Sequence, residues 1–185
     1  MKYKKHIQSA LIISICSSCI LSATAIAKDE TSQIEVSSES FTTGGTIPRE
    51  YTADGKDISP QLSWSDPPAG TKSLALTCED PDAPAGTWFH WIIFNISPET
   101  KKLKENMEKT KNPGGGIAQG ANDFNKIGYN GPSPPKGPVH HYNFKLFALN
   151  SKLKLKPGCS KEEFYKAIKG KILGEGKVTG IYQRK

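Results

Sequence analysis

Cysteine is scarce in this 185-residue chain, which holds four in all. Cys16 and Cys19 lie in the first 27 residues, which leaves Cys78 and Cys159 isolated in the remainder. With no closely spaced partner for either, the spacing of a thiolate zinc site is missing. Whether the two pair as a disulfide depends on a Cα separation that the sequence does not give. Also missing is a serine in a strand-to-helix nucleophile elbow, since Ser133 sits among prolines. The glycine-rich stretch Asn112–Gly116 has no strand before it and no helix after it, so it reads as a turn and not a phosphate loop. No basic stripe interleaves with aromatics, which argues against nucleic acid.

Long apolar runs are absent except at the start, where Ile7 to Thr24 is apolar but diluted by serine and cysteine. Lys2, Lys4 and Lys5 precede it and the small-x-small triplet Ala25-Ile26-Ala27 comes after it. The pattern is that of a secretory signal peptide cut after Ala27, rather than a spanning helix of about 20 apolar residues. The expected product is periplasmic or secreted and carries no transmembrane segment. Cleavage would leave 185 − 27 = 158 residues and a charge balance of 22 basic to 18 acidic, because three lysines leave with the signal. A mild basic excess tolerates anionic partners. Residues 28–34 read as a flexible arm, and residues 35–185 as a single domain long enough to bury a core.

Short strand-like runs separated by Gly/Pro turns dominate the rest of the chain. Ile34–Ser38, Gln61–Ser65, Ser73–Cys78, Trp88–Ile96, Val139–Asn150 and Lys177–Tyr182 predict a mostly β, antiparallel domain. Trp88–Ile96 is apolar on both faces and reads as a central strand. One helix is announced by the capping box of Ser160 and Glu163, with Phe164, Ala167, Ile168 and Ile172 at helical spacing and Gly170 or Gly174 as its stop. A second short helix is expected from Pro98. The alternation of Lys152, Lys154 and Lys156 with Leu153 and Leu155 predicts a solvated edge strand. Asn95-Ile-Ser97 matches a glycosylation triplet but lies in a buried strand with Pro98 next, so it is discounted.

The chemistry concentrates in the histidines. After the leader only His90, His140 and His141 remain, all in strand segments. Alternation puts Trp88 with His90 on one face, and His140 with Tyr142 on one face with His141 opposite. Two rigid proline segments flank these strands, Asp80-Pro-Asp82-Ala-Pro84 and the 128–138 loop with Ser133, Pro134 and Pro135. If the strands are neighbours, Asp80, His90, His140, Tyr142 and the proline loop meet at one mouth. A carboxylate beside an imidazole favours its charged form, and charged imidazoles accept a phosphate or carboxylate group. The residues alone leave three readings open: a small anion pocket, satisfied core histidines beside rigid turns, or catalysis. A metal site from Asp80, His90 and His140 has suitable ligand types but no short-spacing pair to support it.

Several segments, in order, carry a resemblance: FTTGGTIPREYTADGKDISPQLSW (41–64), DPDAP (80–84), WFHW (88–91), GANDFNKIGYNGPSPP (120–135) and HHY (140–142). Together they resemble the phosphatidylethanolamine-binding protein family in its bacterial Raf-kinase-inhibitor-like branch, over nearly all of the chain after the leader. The resemblance implies a β-sandwich of one large and one small antiparallel sheet with a few short peripheral helices. It also implies an anion pocket at one end, for phosphate or a phospholipid head group or a phosphorylated or acidic ligand. Its ligand-binding residues here would be Asp80, Asp82, Trp88, His90, Tyr129, Ser133, Pro134, Pro135, His140 and Tyr142, with no catalytic residue, metal or cofactor. A cis peptide at Ala83–Pro84 is implied as well. The sequence departs from the family's usual HRY, having His141 in place of arginine, and that residue is expected to face away from the pocket. The expected function is that of an exported, non-enzymatic binding protein. The rival, also implied by relatives, is an interaction module whose protein target is a protease or signalling enzyme.

Overall fold

The computed structural model describes residues 31–185, which form one compact unit. The expected signal peptide and the first residues of the expected arm lie outside the described residues. Nine strands and one α-helix succeed one another in chain order. They are β1 (Ser32–Gln33), β2 (Val36–Ser37), β3 (Leu62–Trp64), β4 (Ser73–Asp80), β5 (Trp88–Ile96), β6 (Lys102–Leu103), β7 (Ala118–Gln119), β8 (His140–Leu149), α1 (Lys161–Ile168) and β9 (Ile172–Tyr182). A six-stranded sheet has the order β1-β9-β8-β4-β5-β7, antiparallel except for β1 on β9, and a small antiparallel sheet has the order β2-β3-β6. The expected two-sheet sandwich is therefore the observed one.

The strands form where β-branched and aromatic residues fit a pleated surface buried on both sides. All eight residues of β4 are buried. Its Leu74, Leu76 and Cys78 join Trp91, Ile93, Phe144 and Leu146 in the core that also holds Leu62, Trp64 and Leu103 of the small sheet. The opposite face of the large sheet buries Ala75, Phe89, Phe94 and Phe147 against Phe164 and Ile168 of the helix. Cys78 belongs to the first core and Cys159 to the second, and both thiols are free.

Register shifts interrupt the β4–β5 pairing at two places, between Leu74 and Leu76 and between Cys78 and Glu79, and the second shapes the site. Cys78 pairs with Trp91 and Glu79 with Phe89, so β5 runs through an extra residue, His90, where β4 has none. A bulge bends its strand and re-aims the side chains around it. Here Trp91 enters the inter-sheet core directly after His90, while Phe89 remains on the helix side.

The helix obeys its sequence signals. The Ser160 hydroxyl accepts from the Glu163 amide and the Glu163 carboxylate accepts from the Ser160 amide, at 3.3 and 2.9 Å. It ends at Ile168, with Gly170 beyond it at φ 72°, so Ile172 opens β9 and is not part of the helix. Other expectations need correction. The segment after Pro98 makes a turn and β6, with no helix. Lys152–Lys156 keeps the alternation of burial but pairs with no strand. The Asn95 side chain fastens it, donating to the Leu153 carbonyl and accepting from the Leu153 amide at 3.0 and 2.8 Å. The end of the expected arm is also tied down, because Ser32–Gln33 pairs with β9 and Ile34 is buried. Ala83–Pro84 is trans, and its loop reverses instead through Gly86 at φ 93°, whose amide donates to the Ala83 carbonyl.

The helix packs through a short apolar stripe and leans on its cap. Ser160→Ala is expected to lower the stability of the chain by about 1 kcal/mol, read as a shift in the urea midpoint at unchanged slope.

Candidate functional site

From Asp80, the last paired residue of β4, the chain leaves the sheet through Pro81-Asp82. The Asp82 amide donates to Asp80 Oδ1 at 2.9 Å, closing a tight turn that fixes the Asp80 carboxylate. The other oxygen, Oδ2, lies 2.7 Å from Nδ1 of His140, the first residue of β8. Both side chains are almost wholly buried. A carboxylate accepts, so Nδ1 of His140 carries the proton of this bond.

His90 is held differently. Its Nδ1 lies 2.7 Å from the backbone carbonyl of Asn130, and a carbonyl only accepts, so Nδ1 is the protonated nitrogen here too. The carbonyl is itself fixed. The Asn130 amide donates to the His90 carbonyl at 3.0 Å, and its side-chain amide donates to Asp57 Oδ2 at 3.0 Å. Asp57 Oδ1 accepts from the Gly131 amide at 2.6 Å, and Asn122 Nδ2 donates to Asn130 Oδ1 and to the Gly128 carbonyl at 2.8 and 2.9 Å. Glycine is required at 131, since a Cβ there would sit 2.3 Å from the Tyr51 carbonyl oxygen. Burial holds the His90 pKa below the ordinary histidine value, against the opposing pull of the Asn130 carbonyl and of the Asp80 and Asp123 carboxylates. Asp80 thus hydrogen-bonds His140 and not His90, where burial outweighs the carboxylate's pull and favours the neutral ring.

The two rings line one cavity of about 250 Å³, together with Asp80, Trp88, Phe124 and Ser133. Pro84, Pro134 and Pro135 wall it. Phe124 packs edge-on against both His90 and Trp88, with ring centres 5.2 and 5.5 Å apart. The proline rim is tied from outside, the Pro132 carbonyl accepting from the Ala53 amide and the Pro134 carbonyl from Arg184 Nη1, each at 3.0 Å. Arg184 in turn makes a two-point pair with Asp54. With both Nδ1 atoms occupied, Nε2 of each imidazole is left without a partner among the described residues. The Trp88 indole N–H is likewise unpartnered.

Of the ten expected ligand-binding residues, seven line this cavity: Asp80, Trp88, His90, Ser133, Pro134, Pro135 and His140. Three do not. Tyr129 turns into the inter-sheet core, where its hydroxyl donates to the Tyr51 carbonyl at 2.7 Å and its ring lies 6.3 Å from that of Phe144. Asp82 faces solvent and accepts from the backbone and Nδ1 of His141, both at 2.8 Å. Tyr142 stands behind His90, edge to face at 5.2 Å, with its hydroxyl buried and unpartnered. Burial, and then the Asp80 carboxylate, push the Tyr142 pKa well up, so it is a neutral phenol. His141 faces away, as expected. Asp57, Asn122, Asn130 and Arg184, which organise the rim, carry no signal in the residue pattern that marks them as such, although Asn122 and Asn130 lie within the 120–135 segment.

A larger groove of about 480 Å³ runs over the outer face of β8 and β9, lined by Lys145, Phe147 and Tyr165 among others. Lys145 and the Tyr165 hydroxyl are both already bonded to the buried Glu79, at 2.7 and 2.6 Å, and no candidate site residue lies there. Among the described residues, no group of three or more His, Cys, Asp or Glu side chains is placed to hold a metal ion.

Comparison with known proteins places this geometry. The family model described as phosphatidylethanolamine-binding protein matches residues 37–183. The chain belongs to the phosphatidylethanolamine-binding protein family. Among curated relatives, the UPF0098 protein of Methanothermobacter thermautotrophicus is 48% identical over 151 residues, covering 82% of this chain and 99% of its own length. The UPF0098 protein of Aquifex aeolicus is 47% identical over 153 residues, covering 82% and 89%. Among solved structures, a phosphatidylethanolamine-binding protein homologue from Chlamydia trachomatis aligns with a TM-score of 0.74 at 35% identity, covering 84% of this chain and all of its own. An E. coli member of the mammalian family aligns at 0.77 and 32% identity, covering 82% and 99%. Family membership thus accounts for the two-sheet sandwich.

The state of His90 has a pH consequence. Its folded pKa lies below the unfolded one, so between the two the unfolded chain binds more protons and stability rises with pH. This contribution is expected to be present above about pH 6.5 and to be lost as pH falls from there through the lower folded pKa. At pH 6.5, where an ordinary imidazole is half charged, the ¹⁵N shifts of His90 are expected to be those of a neutral ring protonated on Nδ1.

Proposed function

We propose that this chain is an exported, non-enzymatic binding protein that takes a small oxyanion in the His90–His140 cavity. The observation that carries the reading is the convergence of two buried imidazoles on one cavity, each with Nδ1 committed to a protein acceptor and only Nε2 left for a ligand. Satisfied core histidines would use both nitrogens within the chain. Asp80 orients His140, the Asn130 carbonyl orients His90, and Trp88, Phe124 and the prolines wall the site. A small phosphate-type oxyanion fits the chemistry of this lining, with its nitrogen-bearing floor and apolar sides.

The non-enzymatic part rests on the lack of an activated nucleophile. Ser133 is the one hydroxyl residue lining the cavity among the described residues, and it makes no hydrogen bond to either imidazole. Cys78 is wholly buried, and burial raises its pKa well above that of a free thiol, so it supplies no thiolate. Export rests on the basic, apolar and small-x-small order of the first 27 residues.

Titration with phosphate and with phosphoethanolamine between pH 5 and 8 is expected to shift the His90 and His140 ring signals together, with saturation, and to leave His141 unmoved. His140→Ala is expected to abolish the response without altering the far-UV circular dichroism. A titration in which neither ring moves would overturn the anion reading and turn attention to protein partners.

A further inference from the structure

The proposed ligand must satisfy a cavity with an unusual charge and proton inventory. No lysine or arginine is among the residues lining it, and Asp80 is the one carboxylate there. Asp80 and a protonated His140 sum to zero, and with a neutral His140 the pair is negative. The Asn130 carbonyl at 2.7 Å keeps the proton of neutral His90 on Nδ1, so its Nε2 is a lone pair and asks for a donor. When His140 is protonated, its Nε2–H asks for an acceptor. An anion whose oxygens all lack hydrogen can meet the second demand but not the first. A dianion would also bring a second negative charge into a mostly apolar site already holding Asp80.

Resting on the anion-binding reading of the same site, we infer that the cavity selects an oxyacid that still carries a proton. The favoured form is a singly charged phosphate monoester, whose P–O–H donates to His90 Nε2 while its other oxygens accept from His140. Phosphodiesters, such as intact phospholipid head groups, and monoester dianions are disfavoured. The lowered proton affinity of buried His90 agrees with this assignment. The ionisable groups near the two imidazoles are Asp80 from β4, Asp82 in the turn that follows it, Tyr142 from β8, Tyr182 from β9 opposite His140, and Asp123 after β7. Burial keeps Tyr142 neutral throughout the working range, and Asp123 is paired with Lys161 at 2.8 Å.

Three probes of similar size separate the possibilities. Methyl phosphate below its second pKa, about 6 for phosphate esters, is a monoanion with a proton. Methyl sulfate has the same shape and charge without it, and dimethyl phosphate is the diester. Calorimetric titration of the full chain at pH 5 is expected to show methyl phosphate binding between about fivefold and 150-fold tighter than either of the others, the range for leaving a buried polar group unpaired. Between pH 6 and 8 the affinity for methyl phosphate is expected to fall by an additional factor of about ten per pH unit relative to dimethyl phosphate, whose profile tracks the protein alone. Equal affinities at pH 5, or parallel profiles for the two phosphates, would overturn the proton requirement while leaving anion binding intact. No binding of any probe or of inorganic phosphate would overturn the anion reading itself, and this inference with it.

Discussion

The bond from His90 Nδ1 to the Asn130 carbonyl governs the site. It fixes the tautomer of a buried imidazole and pins the loop that supplies half of the cavity wall. That carbonyl is held by the return bond from the Asn130 amide to the His90 carbonyl, and by the Asn122 and Asp57 side chains. A buried polar group left unpaired costs about 1–3 kcal/mol, and this network places nearly every such group within reach of a partner. The rim is therefore set before any ligand arrives, which reduces the ordering cost of binding.

The sheet makes this possible through the bulge at His90. Without the extra residue in β5, alternation would carry Trp91 to the helix side once His90 faced the cavity. The bulge lets His90, Trp91 and Trp88 all serve the inter-sheet side, while Phe89 still packs near the helix residue Tyr165. β8 supplies the second half by simple alternation, His140 reaching Asp80 and Tyr142 backing His90. Cavity and core are thus continuous, because the rings that end the inter-sheet core also form the floor of the site.

Most of this is legible in residue pattern. The apolar run at Trp88–Ile96 and the aromatic-rich run from His140 mark central strands because few other environments bury such residues on both faces. The capping box marks the helix because its two bonds are local. Placements that depend on tertiary contacts are not legible. Tyr129 is adjacent to Asn130, yet its ring goes to the core because Trp91 and Phe144 offer it a packed slot. Asp57 sits in a polar turn at φ 57° with nothing in its neighbourhood to announce a partner 73 residues away. The lysine–leucine alternation at 152–156 correctly gives which residues are buried, but strand identity needs a neighbouring strand, and there Asn95 supplies the partner instead.

The second acid of the Asp80-Pro-Asp82 turn shows how His141 is used. Asp82 points out of the cavity and accepts from both the amide and the ring of His141, so His141 acts on the loop and not on the cavity. The Asp82 amide meanwhile orients Asp80. Through these few atoms the outer face of β8 is linked to the carboxylate that aligns His140 on the inner face. An arginine there could also pair with Asp82, but its five donors have no counterpart in a single exposed carboxylate. The pair's side chains are 53% and 40% exposed, which places it in the range where an ion pair contributes little stability. What the contact chiefly supplies is position, and the inner contacts that would meet a ligand do not depend on which basic residue provides it.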